Sequence, residues 1–295
     1  MSHSASSLAC RIGVLSFIVA ASFGAFAQTQ ASCAFKVFQL HSDADWAYGA
    51  NDYGTVVGSA AFPYPNPPEK GFIRYSNGSV SFFLAPNAAA TRFTWRNGNG
   101  TSIGVYSSQS ANNIAKGFML NGSTFTSIVH PNAVWGTTLT GLNKYNSIVG
   151  WYLDANENPH GFKRYSNGSF RTLQYASGAT DTIPEGINDF GTIVGWYNNT
   201  HGFIFHNNSW ATLDYPKAGG TELKGVSNSG VIVGINHSTQ QGISFLYANG
   251  TFKVINVPNS FLTNVSGISP GGLIVGMINL NGNQTGWRGF TATCH

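Results

Sequence analysis

Short runs in which apolar and polar residues alternate recur along the whole chain. In Thr192 to Tyr197 (TIVGWY) and Ser169 to Tyr175 (SFRTLQY) the side chains divide between two faces with a period of two, as in half-buried β-strands. Between such runs stand Asn77-Gly78, Asn121-Gly122, Asn167-Gly168, Asn207-Asn208 and Asn249-Gly250. These pairs suit tight hairpins, because a type I′ turn needs positive φ at both central residues. The pattern predicts strands joined by short turns, and no helix.

The runs are copies of one another. Gly186 to Tyr197 (GINDFGTIVGWY) repeats Gly141 to Tyr152 (GLNKYNSIVGWY), with weaker copies at Gly49 to Gly58, Trp95 to Gly104, Gly225 to Gly234 and Gly267 to Gly276. The closing glycines Gly58, Gly104, Gly150, Gly195, Gly234 and Gly276 recur about every 44 residues. Each copy is followed by a Gly-Phe or similar start (Gly71-Phe72, Gly117-Phe118, Gly161-Phe162, Gly202-Phe203, Gly242-Ile243, Gly289-Phe290), and in five a turn and another alternating run come next. One unit therefore reads as four short strands, the size of a β-propeller blade.

The ends fit a closed ring. Cys33 to Leu40 (CAFKVFQL) matches Gly168 to Tyr175, a fourth strand with no first three before it, while the last unit stops after its third strand at Cys294. The expectation is an all-β, six-bladed β-propeller of four-stranded antiparallel blades. Its ring is closed by the N-terminal strand and a Cys33–Cys294 disulfide, which takes the place of the missing turn. An even pair of cysteines outside the leader suits one bridge in an oxidising compartment.

Composition adds the compartment and removes some functions. Arg11, the apolar run Ile12 to Phe26 and the Ala25-Phe26-Ala27 site predict a signal peptide over 1–27. That leaves one exported domain over 28–295, secreted or periplasmic, with no membrane insertion. Only 9% of residues are charged and the net charge is +4. This is too weak and scattered for a nucleic-acid partner. The 14% aromatic content argues for a packed core rather than disorder.

The unit Gly-Ile-Asn-Asp-x-Gly-x-Ile-Val-Gly-x-Tyr, followed by His160-Gly161-Phe162 or His201-Gly202-Phe203, resembles the bacterial extracellular HAF-repeat family. In the other copies Lys70, Lys116, Gln241 or Arg288 stands in the His place. The resemblance spans nearly the whole mature chain and implies an exported, propeller-like protein. It brings no catalytic residues with it.

The connections within the first two and the last two strands of a unit are short turns, so the long, varied loops share the opposite rim. Function usually sits on such loops. That rim carries Trp46, Tyr64, Arg92, Tyr106, Trp135, Trp151, Tyr152, His160, Trp196, Tyr197, His201, His237 and Trp287. Aromatic rings among amides and histidines suit a sugar, whose apolar face they cover while polar groups bond its edge. The ligand-binding candidates are Trp46, Arg92, Trp135, Trp151, Tyr152, His160, Trp196, Tyr197, His201 and Trp287. Interblade packing is the competing role for Trp151 and Trp196, and strand capping for the histidines.

Catalytic signals are thin. Nucleophile-elbow, zinc-protease, phosphate-loop and calcium-loop motifs are absent from the sequence, and no cofactor or metal is expected. Asp154, Glu157 and Asp181 are carboxylates of the same rim, and Arg92, Tyr106 and His160 are the groups a lyase would use. The sequence favours a monomeric, lectin-like binding module for extracellular or cell-wall carbohydrate. A polysaccharide lyase or hydrolase and a protein-interaction scaffold are the alternatives.

Overall fold

In the computed structural model the described residues are 29–40, 44–61, 69–108, 114–175, 178–217, 219–282 and 286–294. The expected signal segment 1–27 and the rim residue Tyr64 lie outside them. These residues form 24 strands. Each repeat runs as four antiparallel strands in hairpin order, as in Thr182–Ile187, Ile193–Tyr197, His201–His206 and Ser209–Thr212. The first strands of the repeats are Ala44–Ala50, Ala88–Arg96, Gly136–Leu142, Thr182–Ile187, Thr221–Val226 and Leu262–Ile268. Each touches the next, and the last touches the first, so they line a closed ring.

The expected six separate blades are corrected in one respect. Four separate four-stranded sheets and one eight-stranded sheet are present. A parallel bridge between Gly136 and Ala115 joins the second repeat to the third. The cause is local: Gly136 has φ 140°, and a Cβ there would sit 3.0 Å from the Ala115 carbonyl oxygen. Without that Cβ the two backbones come close enough to pair.

The repeated Gly and Phe form the packing unit. Gly58, Gly104, Gly150, Gly195, Gly234 and Gly276 in the second strands pair with Phe72, Phe118, Phe162, Phe203, Phe245 and Phe290 in the third. All six phenylalanines are fully buried, and their rings lie over the bare glycines. Each buried ring contributes on the order of 2–3 kcal/mol. The fifth repeat differs from the expected alignment: its Gly-Phe place is held by Ser244-Phe245, so Ile243 and not Gln241 occupies the His position.

Two sets of polar clasps tie the repeats together. A threonine early in each first strand after the initial one accepts from a backbone N–H of the incoming connection: Thr91 from Ala85, Thr137 from His130, Thr182 from Tyr175, Thr221 from Tyr215 and Thr263 from Val257. Asp45 takes that role for Leu40 in the first repeat. At the other end, buried Asn51, Asn97, Asn143 and Asn188 each donate to a carbonyl of the following repeat, namely that of Asn97, Asn143, Asn188 and Ser227. Asp52 accepts from Gly271 N of the sixth repeat at 2.6 Å.

The termini meet as expected. Cys33–Phe38 pairs antiparallel with Trp287–Cys294, Cys33 opposite Cys294, and the two cysteines form a disulfide.

Candidate functional site in the axial channel

Every first strand carries a β-bulge at the same place. The pairing skips Tyr48, Thr94, Thr140, Glu185, Lys224 and Ser266, each immediately before the repeat Gly or its Trp95 equivalent. A bulge re-aims the side chain it carries. Here all six point into the ring and line one axial cavity of about 320 Å³, with Trp95, Ile235, Asn264, Val265 and Met277.

The next position decides how deep that cavity runs. It is glycine in five repeats (Gly49, Gly141, Gly186, Gly225, Gly267) and tryptophan in the second, Trp95. The glycines let neighbouring inner strands approach: a Cβ on Gly186 would lie 2.9 Å from Gly225 Cα, and one on Gly225 2.9 Å from Ile268 N. The Trp95 indole fills the axis that remains. Its ring reaches the first and sixth repeats, where a Cβ on Gly49 or Gly267 would come within 2.8 or 2.6 Å of it. Trp95 is 8% exposed. The cavity is therefore a well, floored by an indole on the side of the short turns and bounded above by the long-loop rim.

The wall is polar and charged on one side. Lys224 Nζ lies 2.6 Å from Glu222 Oε2 and 3.3 Å from Glu185 Oε1. His237 Nε2 contacts Glu222 Oε1 at 3.2 Å, and the Trp196 indole N–H donates to Glu185 Oε1. Burial alone would lower the Lys224 pKa, but Glu185 and Glu222 outweigh it and raise it, so the ammonium stays charged. Burial would likewise raise Glu222, yet Lys224 and His237 hold it below its ordinary value. On the other side, burial raises the Tyr48 phenol, which stays neutral and able to donate. Arg92 lies over its ring and is itself gripped by Glu69 through two hydrogen bonds of 2.9 and 3.0 Å. Thr140 donates to Pro184 O, which leaves its oxygen as an acceptor. The arrangement offers fixed donors, acceptors and two aromatic rings. Among the described residues its one ammonium, Lys224, is pinned by two carboxylates, which makes it a poor base.

The residues singled out from sequence are spread around this well, and none of the ten lines it. Arg92 reaches it through Tyr48 and Trp196 through Glu185. Trp46, in a first strand opposite Ser59, and Trp151, in a second strand opposite Thr138, are half-buried. Tyr152 and Tyr197 fall on the other face of the same strands. Tyr152, buried, stacks on His130 at 3.9 Å, and Tyr197 stacks on Tyr175 at 3.8 Å. His160 bonds Asp154 at 2.9 Å and His201 bonds Asp214 at 2.7 Å, each within its own repeat. His160 holds the Asp154 carboxyl down to about 2. Trp135 is 45% exposed and donates to Ala155 O in a different loop of the same repeat, the one after Ile148–Leu153. Trp287 lies at the start of its strand, and its carbonyl accepts from Arg288. Tyr106 is spent on Ser127, so Arg92, Tyr106 and His160 have three separate sets of partners.

The opposite rim also differs from expectation. Tyr53, Tyr145 and Phe190 occupy one equivalent place in three short turns and are the most exposed aromatics among the described residues. A groove lined by Phe190, His206, Asn207, Asn228 and Tyr247 opens beside the last of them.

No family model matches the chain, and no curated protein matches it. Its fold is similar to solved structures. Virginiamycin B lyase from Staphylococcus aureus superposes with a TM-score of 0.52 at 13% identity, over 88% of this chain and 99% of that one. Aleuria aurantia lectin in complex with Fucalpha1-6GlcNAc does so with 0.52 at 13%, over 87% and 93%. The beta-propeller domain of the Trilobed protease from Pyrococcus furiosus, described as having an open velcro topology, gives 0.50 at 9%, over 84% and 97%. Identities this low speak for the fold alone. With the closed ring of inner strands and the disulfide between its ends, the chain is an all-β propeller with four-stranded antiparallel blades.

Proposed function

We propose that this protein is an exported, carbohydrate-binding propeller that holds a sugar residue in the axial well. The eight-stranded sheet counts as two blades on this reading, since a single bridge joins its halves, and the propeller is six-bladed. The signal-peptide pattern, the disulfide and the resemblance to the HAF-repeat family support export.

The observation that carries the proposal is the bulge ring. Packing dictates the residues on either side of each bulge, as the buried Leu139 and Leu223 before it and the closely approached Gly186 and Gly225 after it demonstrate, but the bulged side chain faces the axis and is free of that demand. It is the place where six otherwise similar repeats carry Tyr, Thr, Thr, Glu, Lys and Ser. Their hydroxyls and the Glu185 carboxylate, with Asn264 and the Tyr48 and Trp95 rings, match a pyranose with an apolar face and a polar edge. A volume of about 320 Å³ suits one or two sugar units at the small end of ligand sites. The Aleuria lectin is a precedent for a propeller of this kind in complex with a saccharide.

The test is binding of the purified mature protein to a broad glycan array, with free sugar as competitor. Sugar-inhibited binding to a defined set of glycans is expected. If no saccharide is retained at any protein concentration up to the micromolar range, the proposal fails.

A further inference from the structure

The charges of the well narrow the ligand class, on the premise that the well binds sugar. Two carboxylates, Glu185 and Glu222, face a single ammonium, Lys224. Glu222 has both oxygens engaged, one by Lys224 and one by His237. Glu185 does not. Its Oε1 accepts from both Lys224 and the Trp196 indole, while among the described residues nothing bonds its Oε2. Among the described residues the other cation near the well, Arg92, is taken up by both oxygens of Glu69. The well therefore offers one unspent carboxylate oxygen and no unspent cation. Lys224 is held by its neighbours and has no surplus charge for an incoming anion.

We propose that the axial well is selective for an amino sugar, a hexosamine carrying a free ammonium that sits on Glu185 Oε2, and that it rejects uronates. A uronate carboxylate would enter beside two like charges in a partly desolvated space, where repulsion is weakly screened. An ammonium there gains a charge-assisted hydrogen bond without displacing Lys224. The direction runs against a uronate lyase, whose substrate needs a free cation to receive its carboxylate.

Isothermal titration at about pH 6, where a sugar amine is protonated, tests this with three oligosaccharide series of equal length: free hexosamine, N-acetylhexosamine and hexuronate. The amine series is expected to bind about five- to tenfold tighter than the acetylated one, as a partly exposed ion pair allows, with the uronate weakest. Glu185→Gln should abolish the preference for the amine, weakening the amine series by a larger factor than the acetylated one. Lys224→Met, which exposes a second carboxylate, should widen it. Thermal unfolding of both variants shows that they are folded. Equal binding of amine and acetylated series, tighter binding of the uronate, or a preference that survives Glu185→Gln overturns the inference while sugar binding stands. Failure of all three series overturns the sugar-binding reading itself.

Discussion

The indole floor makes a quantitative claim about two residues far apart in sequence. A Cβ added at Gly267 would meet Trp95 Cζ3 at 2.6 Å and Trp95 Cη2 at 3.1 Å, and its next neighbour is Tyr48 O at 3.6 Å. The indole is thus the only serious obstacle. Gly267→Ala should then cost about 1–3 kcal/mol by overpacking. Trp95→Gly alone removes a side chain only 8% exposed and should cost about 4–5 kcal/mol, slightly more than a Trp→Ala deletion because of the added backbone freedom. In the double variant the clash is gone, and Gly267→Ala should become neutral or stabilising by up to about 1 kcal/mol through the lower entropy of the unfolded chain. The coupling between the two sites is therefore about 1–4 kcal/mol, outside the error of additivity for independent positions. Urea unfolding of the four proteins, followed by far-ultraviolet circular dichroism, measures it. Additive effects would refute the floor, since they would mean that the indole does not reach the sixth repeat.

Three further outcomes are expected. Replacing Cys33 and Cys294 together by serine opens a loop spanning 261 residues and should cost about 5–6 kcal/mol in the chain-entropy model; reducing agent should lower the unfolding temperature of the native protein and leave the serine variant unmoved. Burial, aided by His160, lowers the His130 pKa from 6.5 to about 4, so the unfolded chain binds this proton more readily. The contribution is full above about pH 6.5 and is lost as pH falls toward 4; the unfolding temperature should drop over that window, and less so in His130→Gln. An equal drop in the variant would discount the role of His130. Asn143→Ala removes an acceptor for Tyr145 N and Ser147 N and a donor to Asn188 O, and should cost about 1–3 kcal/mol in denaturant unfolding. A value near zero would make the buried asparagine belt ornamental.

Much of this architecture was legible in the sequence, and the parts that were not share a cause. The spacing of Gly150 and Phe162, or Gly195 and Phe203, announces the packing unit because one residue must be bare for the other to lie over it. The disulfide and the terminal strand followed from aligning Cys33 to Leu40 with a complete repeat. The bulges were hidden because every repeat has one, so the extra residue leaves the spacing undisturbed. Tyr48, Thr140, Glu185 and Lys224 stand just ahead of the recognisable motif, where alternation alone gives them the wrong face. Trp95 was visible as the one departure from glycine at its place, a signal that only the ring geometry turns into a floor. Tyr152 and Tyr197 were grouped with Trp151 and Trp196 by adjacency, although a period of two sends neighbours to opposite faces. The fifth repeat misled for a simpler reason: Gly242 imitates the Gly-Phe start two residues early. The merged sheet depends on one close backbone approach at Gly136, which no side-chain pattern encodes.

The central claim is that the sugar enters the axial well, and filling the well is the most direct test. Ser266 lines it and is half-buried, so Ser266→Trp would place an indole in space of about 320 Å³ without touching the Gly-Phe packing. Titration calorimetry with the tightest array glycan should give at least a tenfold weaker Kd for Ser266→Trp, with an unfolding temperature close to that of the native protein. Unchanged affinity in a folded Ser266→Trp variant would move the binding site out of the well.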